Sequence, residues 1–148
     1  MRKISLINWL LEVDVNQTKE LYRENVEVCE CLYCENYMVM CKHLDSTIID
    51  IFNLLGIQSS MPNNLSEFGK MEDGLHLYMG NYPIVGRLVE GEYCTDSSWD
   101  DTTTTTIKNF TFGFGKGSLL LQDSSTHPFI QLEFEARIPW GLLEEPED

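Results

Sequence analysis

Four of the five cysteines fall in one short stretch, at Cys29, Cys31, Cys34 and Cys41, and His43 follows them. Thiolate sulfur and imidazole nitrogen are the ligands that Zn²⁺ prefers, and four of them in a tetrahedron form a closed structural site. One hypothesis is therefore a structural zinc site made by the four cysteines, with His43 as a substitute ligand. The sequence lacks the second Cys-x-x-Cys pair that zinc ribbons carry.

The same cysteines also fit the buried side of a helix. Cys31, Cys34, Met38 and Cys41 are spaced three, four and three residues apart, which places them on one helical face. Reduced cysteine is a small apolar residue that is commonly buried, so this spacing favours a packed helix over zinc. A third alternative is thiol redox chemistry centred on Cys34, but the βαβ pattern that usually surrounds a redox Cys-x-x-Cys is missing.

The chain is strongly acidic. It has 24 Asp and Glu against 10 Lys and Arg, which gives a formal net charge of −14. Such a surface repels phosphate groups, so direct binding to nucleic acid or to an anionic membrane is not expected. The charge predicts a protein partner with a basic surface. The alternative is that the charge only keeps the protein soluble.

Two acidic segments supply the candidate contacts with such a partner. Trp99 stands beside Asp100 and Asp101 in a polar stretch, and tryptophan is enriched among interface hot spots. Glu133 and Glu135 should point from the solvent-exposed side of a strand, because they alternate with a predicted buried set, namely Ile130, Leu132, Phe134, Ala136 and Ile138. These five residues are the predicted partner-binding set.

A complete catalytic motif is not recognisable. His76 could serve as a general base if strand pairing brought it to Glu133 or Glu135. The GFGKGS stretch at 113–118 departs from a phosphate-binding loop, because Gly117 separates the lysine from the serine. We therefore expect a protein that is not an enzyme and that needs no cofactor, unless the cysteines bind zinc.

The hydrophobic pattern changes near Gly74. Before it, apolar residues recur at helical spacing, and Ile4, Ile7 and Leu11 share one face of a predicted first helix. A further predicted helix begins after a cap at Asp45 or Ser46 and ends at Gly56, and its apolar stripe is Ile48, Ile51, Phe52 and Leu55. A short helix is predicted at 65–71. After it the period is two, with Gly80-Asn81 as a predicted hairpin turn. The sequence predicts an α+β fold in which three or four N-terminal helices pack on a mostly antiparallel C-terminal sheet of about four or five strands.

The length of 148 residues suits one domain, comprising a helical part at 1–73, a sheet part at 74–140 and an acidic tail at 141–148. Asn8 interrupts the first apolar stretch and Glu12 closes it, which is not typical of a signal peptide. No apolar run reaches the length of a membrane span. We expect a cytoplasmic protein with reduced thiols.

Four short motifs resemble those of a family. They are Cys-x-Tyr-Cys-x-Asn-Tyr at 31–37, GLHLY at 74–78, IQLEF at 130–134 and IPW at 138–140. Together they resemble a group of small uncharacterised bacterial proteins, found mostly in Firmicutes and their phages. The resemblance implies a bacterial or phage origin and a single domain, and it implies no activity or site residues.

These observations predict a non-enzymatic acidic binding protein. It would act as an inhibitor that imitates the charge of nucleic acid, or as an immunity protein, on a basic protein partner. The alternative function is a structural zinc-binding domain built on the cysteine cluster.

Overall fold

The computed structural model describes residues 2–24, 31–94, 99–100, 102–116 and 129–144. In these ranges the chain forms seven strands, three α-helices and a 3₁₀ turn at Cys41–His43. The strands are β1 (Arg2–Leu6), β2 (Trp9–Val13), β3 (Asn63–Lys70), β4 (His76–Glu90), β5 (Thr105–Ile107), β6 (Phe110–Lys116) and β7 (Phe129–Ile138). The helices are α1 (Val15–Glu24), α2 (Leu32–Met40) and α3 (Ser46–Leu55).

One antiparallel sheet contains all seven strands, in the order β1-β2-β4-β7-β6-β5, and β3 also pairs with β4. The long strand β4 organises this sheet. Its first part, 76–85, pairs with β7, and β3 pairs with 76–81. Its last part, 86–90, pairs with β2 and so attaches the N-terminal hairpin.

The predicted first helix is wrong, because residues 2–13 form the β1–β2 hairpin. Leu6 pairs with Trp9 across a turn at Ile7, whose φ is 55°. The buried positions follow a period of two on each strand, whereas Ile7 is exposed. Ile4 and Leu11 satisfy both the helical and the strand period, so the apolar pattern alone did not separate the two.

Two further element predictions are wrong. A short helix was predicted at 65–71, but residues 65–70 belong to strand β3, and the predicted Gly80-Asn81 turn lies inside β4. Because β4 pairs with both β3 and β7 at these residues, its extended backbone is fixed from two sides. Pairing across the sheet therefore overrides the local turn preference of Gly-Asn.

The prediction of N-terminal helices on a sheet of four or five strands is thus wrong as a whole. The region expected to be helical, 1–73, contains strands β1, β2 and β3, and the sheet has seven strands in the described residues. Of the predicted acidic tail, residues 145–148 lie outside the described residues. No helix in the described ranges is long and apolar enough to cross a membrane.

Helix α3 was predicted correctly. Asp45 precedes it, and the Asp45 carboxylate accepts a hydrogen bond from the Thr47 backbone N–H at 2.9 Å. Gly56 ends it in the left-handed conformation with φ 84°, which glycine adopts without a steric penalty. Its apolar stripe is buried as expected, with Ile48, Ile51, Phe52 and Leu55 in the core.

The core lies between the helices and one face of the sheet. Tyr37 on α2 stacks on Phe134 of β7, and Phe52 on α3 packs against Tyr82 of β4. Alternation along β7 confirms the predicted buried set, which is Ile130, Leu132, Phe134, Ala136 and Ile138. We call the opposite side of the sheet, which carries Glu133 and Glu135, the outer face.

Candidate functional site

The cysteines of the predicted metal set occupy the two ends of α2. Cys31 is exposed at the N-cap, where its Sγ accepts a hydrogen bond from the Cys34 backbone N–H at 3.5 Å. Cys34 is buried within the helix. Cys41 is buried at the other end, and its thiol donates to the Ser59 carbonyl at 3.3 Å. Cys29 lies outside the described residues.

This placement does not favour zinc. Burial raises the pKa of the Cys41 thiol to about 12, which opposes formation of the thiolate that a metal needs. In the described residues no group of three or more His, Cys, Asp or Glu side chains is arranged to bind a metal ion. The predicted single helical stripe is also incomplete, because Cys31 is exposed. Zinc binding by the four cysteines stays a prediction, since Cys29 is not described.

The outer face has a distinct row of residues across its three central strands. Asn81 of β4 pairs with Glu133 of β7, and Glu133 pairs with Gly113 of β6. Residues that pair directly across antiparallel strands point to the same face. Gly113 and Gly115 have no side chains, which leaves a depression in the outer face along β6. The Glu133 carboxylate lies over Gly115, where an added Cβ atom would be 3.1 Å from its Oε1.

Trp99 and Cys94 form one wall of this depression. The Cys94 backbone N–H donates to the Phe114 carbonyl at 2.8 Å, which fixes the segment after β4 against β6. A Cβ atom placed on Gly113 would lie only 2.9 Å from Cys94 Sγ and 3.1 Å from Trp99 Cζ3. A glycine is therefore required at 113 for Cys94 and Trp99 to approach the sheet.

The result is a pocket of about 420 Å³ on the outer face. We call it the outer pocket and define it by Ser66, Met79, Asn81, Cys94, Trp99 and Glu133. Apolar and polar groups alternate around it, an arrangement typical of ligand sites.

Asn81 is the unusual member of the outer pocket. Asn81 is only 7% exposed. Among the described residues, its Oδ1 is the one buried side-chain oxygen or nitrogen that lacks a hydrogen-bond partner. A buried acceptor without a donor is energetically unfavourable, by about 1–3 kcal/mol. This oxygen has almost no accessible surface, so its missing hydrogen bond is a cost to the stability of the fold at Asn81.

The structure brings three of the predicted partner-binding residues together. The Trp99 indole Nε1 donates to Glu135 Oε2 at 3.3 Å, and Trp99 and Glu133 both line the outer pocket. Asp100 is adjacent to Trp99, but its carboxylate accepts hydrogen bonds from the Thr102 hydroxyl and from the Thr102 backbone N–H. These two bonds, the hydroxyl first, lower the pKa of Asp100. Asp101 lies outside the described residues.

His76 has a different carboxylate partner from those expected. It is buried on the helix-facing side of β4, together with Tyr78, and not on the face that carries Glu133 and Glu135. Its Nδ1 lies 3.2 Å from Oε2 of Glu67 on β3, and both side chains are 8% exposed. The second oxygen of Glu67 accepts from the Gly69 backbone N–H. The pair ties β3 to β4, which is a structural role.

Sequence analysis missed Asn81, Cys94 and Gly113 as parts of a site. One signal was present for Gly113, because Gly113 and Gly115 alternate with the buried phenylalanines of β6. Glycine at every second position leaves one strand face without side chains, and this indicates a close approach by another group. No such signal marked Asn81, which resembled a turn residue.

Comparisons with known proteins give no family assignment. No protein-family model matches the chain, and neither a curated protein nor a solved structure matches it. The resemblance to small bacterial and phage proteins therefore stays a prediction, and the function has to be argued from the outer face itself.

Proposed function

We propose that this protein is a non-enzymatic binding protein that uses its acidic outer face to bind a basic protein partner. The observation that carries the proposal is the position of Trp99, whose indole is hydrogen-bonded to Glu135 and lies beside Glu133. A large aromatic side chain surrounded by carboxylates is the combination expected at a hot spot for a cationic surface.

The overall charge supports the same proposal. A net charge of −14 creates a negative field that accelerates association with a cationic partner and opposes binding to phosphate backbones. An inhibitor that occupies the nucleic-acid cleft of an enzyme, or an immunity protein bound to a basic toxin, fits this field. We place this interaction in the cytoplasm, where cysteine thiols stay reduced.

The test is a pull-down from bacterial lysate at low and at high salt, followed by mass spectrometry. We expect a stoichiometric basic protein at low salt and its loss at high salt, because screening weakens attraction between opposite charges. The same pull-down with Trp99→Ala should lose the partner at low salt. Replacement of a hot-spot tryptophan commonly reduces affinity by about 30-fold or more.

A matched pair of double variants separates the outer face from net charge. Glu133→Gln with Glu135→Gln removes two charges from the outer face. Glu35→Gln with Asp50→Asn removes two from exposed positions on the helices, on the other side of the molecule. The proposal requires that the first pair weakens capture much more than the second. Equal capture by both double variants, or retention of the partner by Trp99→Ala, would exclude the outer face as the binding surface.

A further inference from the structure

Two of the cysteines lie close together at the start of α2. Cys31 is the N-cap residue, and its Sγ accepts a hydrogen bond from the Cys34 backbone N–H at 3.5 Å. The Cys31 carbonyl accepts from the Glu35 backbone N–H at 2.9 Å, as the first carbonyl of a helix does. Residues three apart on a helix have Cα atoms about 5 Å apart, and a disulfide bond needs about 4.4–6.8 Å. The two thiols can therefore be joined with little movement of the backbone.

The other described cysteines are out of reach of this pair. Cys41 lies seven residues after Cys34, which is about 10 Å along a helix axis, and a disulfide does not form when the Cα atoms are more than about 7 Å apart. Cys94 lies on the outer face against Gly113, whereas α2 packs on the opposite face of the sheet. Within the described residues, an internal disulfide is therefore expected between Cys31 and Cys34.

The two thiols differ in accessibility. Cys31 is exposed, whereas Cys34 is only 8% exposed. An external reagent therefore reaches Cys31 first, and Cys34 is placed to attack the bond that forms there. Thiol–disulfide exchange uses this combination, in which an accessible thiol attacks and a neighbouring thiol resolves the mixed disulfide.

The turn that carries both thiols is fixed to the sheet. The Tyr78 hydroxyl on β4 donates to the carbonyl of Tyr33, which lies between the two cysteines, at 2.7 Å. Burial raises the pKa of Tyr78 to about 12, so this hydroxyl stays a donor at neutral pH. The Asn36 side-chain amide donates to the Pro139 carbonyl at 3.1 Å and accepts from the Gly141 backbone N–H at 2.7 Å. These contacts hold the two cysteines in position before any reaction.

We propose that Cys31 and Cys34 form a thiol–disulfide exchange site whose substrate is a disulfide compound. The Cys31 thiolate attacks one sulfur of that compound, which breaks its S–S bond, leaves a mixed disulfide on Cys31 and releases one thiolate. Cys34 then loses its proton, and its sulfur attacks Cys31 Sγ and releases the second thiolate. The released thiolates take up the two protons of the original thiols. The compound is thus reduced to two thiols, and the protein dithiol is oxidised to a disulfide.

The test treats the reduced protein with glutathione disulfide, with and without a chelator. Wild type and Cys29→Ser are compared, because Cys29 lies outside the described residues. From both proteins we expect the release of two glutathione molecules per chain. After acid quenching and alkylation, peptide mass spectrometry should show a disulfide between Cys31 and Cys34. Dithiothreitol should restore both thiols.

Two variants, made in the Cys29→Ser protein, separate the roles of the thiols. Cys34→Ala removes the resolving thiol, so the reaction should stop at a glutathione adduct on Cys31 with one glutathione released. Cys31→Ser keeps a residue type that caps helices well. It should slow the release of glutathione by at least about tenfold, because the buried thiol that remains in the turn is poorly accessible. Circular dichroism checks that both variants keep their helices.

Four results would overturn the proposal. The first is a stable glutathione adduct on Cys31 of the Cys29→Ser protein without an internal disulfide, and the second is an internal disulfide that requires Cys29. The third is an unchanged rate of glutathione release in Cys31→Ser. The fourth is a reaction that proceeds only when the chelator is present, which would assign the thiols to a metal. The outer face is tested separately, because Trp99→Ala should leave glutathione release unchanged.

Discussion

At the scale of single residues, hydroxyl groups inside the core decide how tightly the helices are fixed to the sheet. The Tyr37 and Tyr82 hydroxyl oxygens lie 2.6 Å apart, and the Tyr82 hydroxyl donates to the Ser59 carbonyl at 2.6 Å. Both tyrosines are fully buried. Buried hydroxyl groups are tolerated because each has a hydrogen-bond partner. When one hydroxyl is removed, the buried group that it was bonded to keeps its desolvation cost without a compensating hydrogen bond.

Tyr82→Phe should therefore destabilise the protein by about 1–3 kcal/mol, because it leaves the Tyr37 hydroxyl without its partner in the core. Urea unfolding at neutral pH measures this difference. Tyr93→Phe is the control, since Tyr93 is only half-buried, and it should change the free energy of unfolding by at most about 0.5 kcal/mol. Equal effects of the two substitutions would contradict a buried hydroxyl network.

The buried thiol of Cys41 should make the free energy of unfolding decrease at alkaline pH. A cysteine thiol ionises near pH 9.0 when exposed, whereas burial raises the pKa of Cys41 to about 12. Between these values the unfolded chain has released the proton and the folded chain keeps it. Stability is therefore complete below pH 9 and falls as pH rises, by up to about 1.4 kcal/mol per pH unit from this group.

Cys41→Ala should reduce this alkaline loss of stability. The measurement is the free energy of unfolding in urea, under reducing conditions, at pH 8 and pH 10 for wild type and variant. We expect the wild type to lose more stability between the two pH values than the variant does. An unchanged pH slope in the variant would show that Cys41 does not keep its proton in the folded state.

At the scale of elements, the sequence predicted a helix or strand correctly where its apolar residues fit only one of the two hydrophobic periods. The α3 pattern fits only a helix and has caps at both ends, and β7 alternates without exception. The first thirteen residues fit both periods, and β3 contains few apolar residues, so neither was predicted as a strand. β2 and β3 form strands because β4 provides their backbone partners, and β1 in turn pairs with β2. Pairing between distant segments is not visible in the local hydrophobic period.

The candidate site also has features that one segment of sequence predicts and features that it does not. The exposed direction of Glu133 and Glu135 follows from alternation within β7, and the importance of Trp99 follows from its residue type. The outer pocket itself depends on Asn81 facing Glu133 and on Cys94 meeting Gly113, and both contacts join different strands. Only the register of the sheet brings these residues together.

Ile7 provides a test of the N-terminal hairpin. Its φ of 55° is strained for a β-branched residue, and its side chain is 52% exposed, so it contributes little to the core. Ile7→Asn should stabilise the protein by about 1 kcal/mol, because asparagine tolerates this conformation. Thermal unfolding of Ile7→Asn and of Ile7→Val, which keeps the branched side chain, measures the effect. If residues 2–13 formed a helix instead, Ile7→Asn would not be stabilising.

At the scale of the whole molecule, the excess of 14 negative charges acts on stability and on binding in opposite ways. The arginines of two ion pairs, Arg23–Glu20 and Arg87–Glu12, neutralise only a small part of this excess. Repulsion among carboxylates therefore dominates the long-range electrostatics of the folded chain and lowers its stability. The same field attracts a cationic partner.

Salt should consequently raise stability and weaken binding in the same protein. An increase in ionic strength from about 0.01 M to about 0.1 M shortens the Debye length from about 30 Å to about 10 Å, which screens both the repulsion and the attraction. We expect the urea midpoint to increase and the capture of the basic partner in the pull-down to decrease over this range. In the Glu35→Gln, Asp50→Asn variant the gain in stability should be smaller. The salt dependence of partner capture should be nearly unchanged, because the outer face keeps its carboxylates. A urea midpoint that falls with salt would mean that ion pairs, and not repulsion, govern the fold, and the acidic surface would then be explained by stability instead of partner binding.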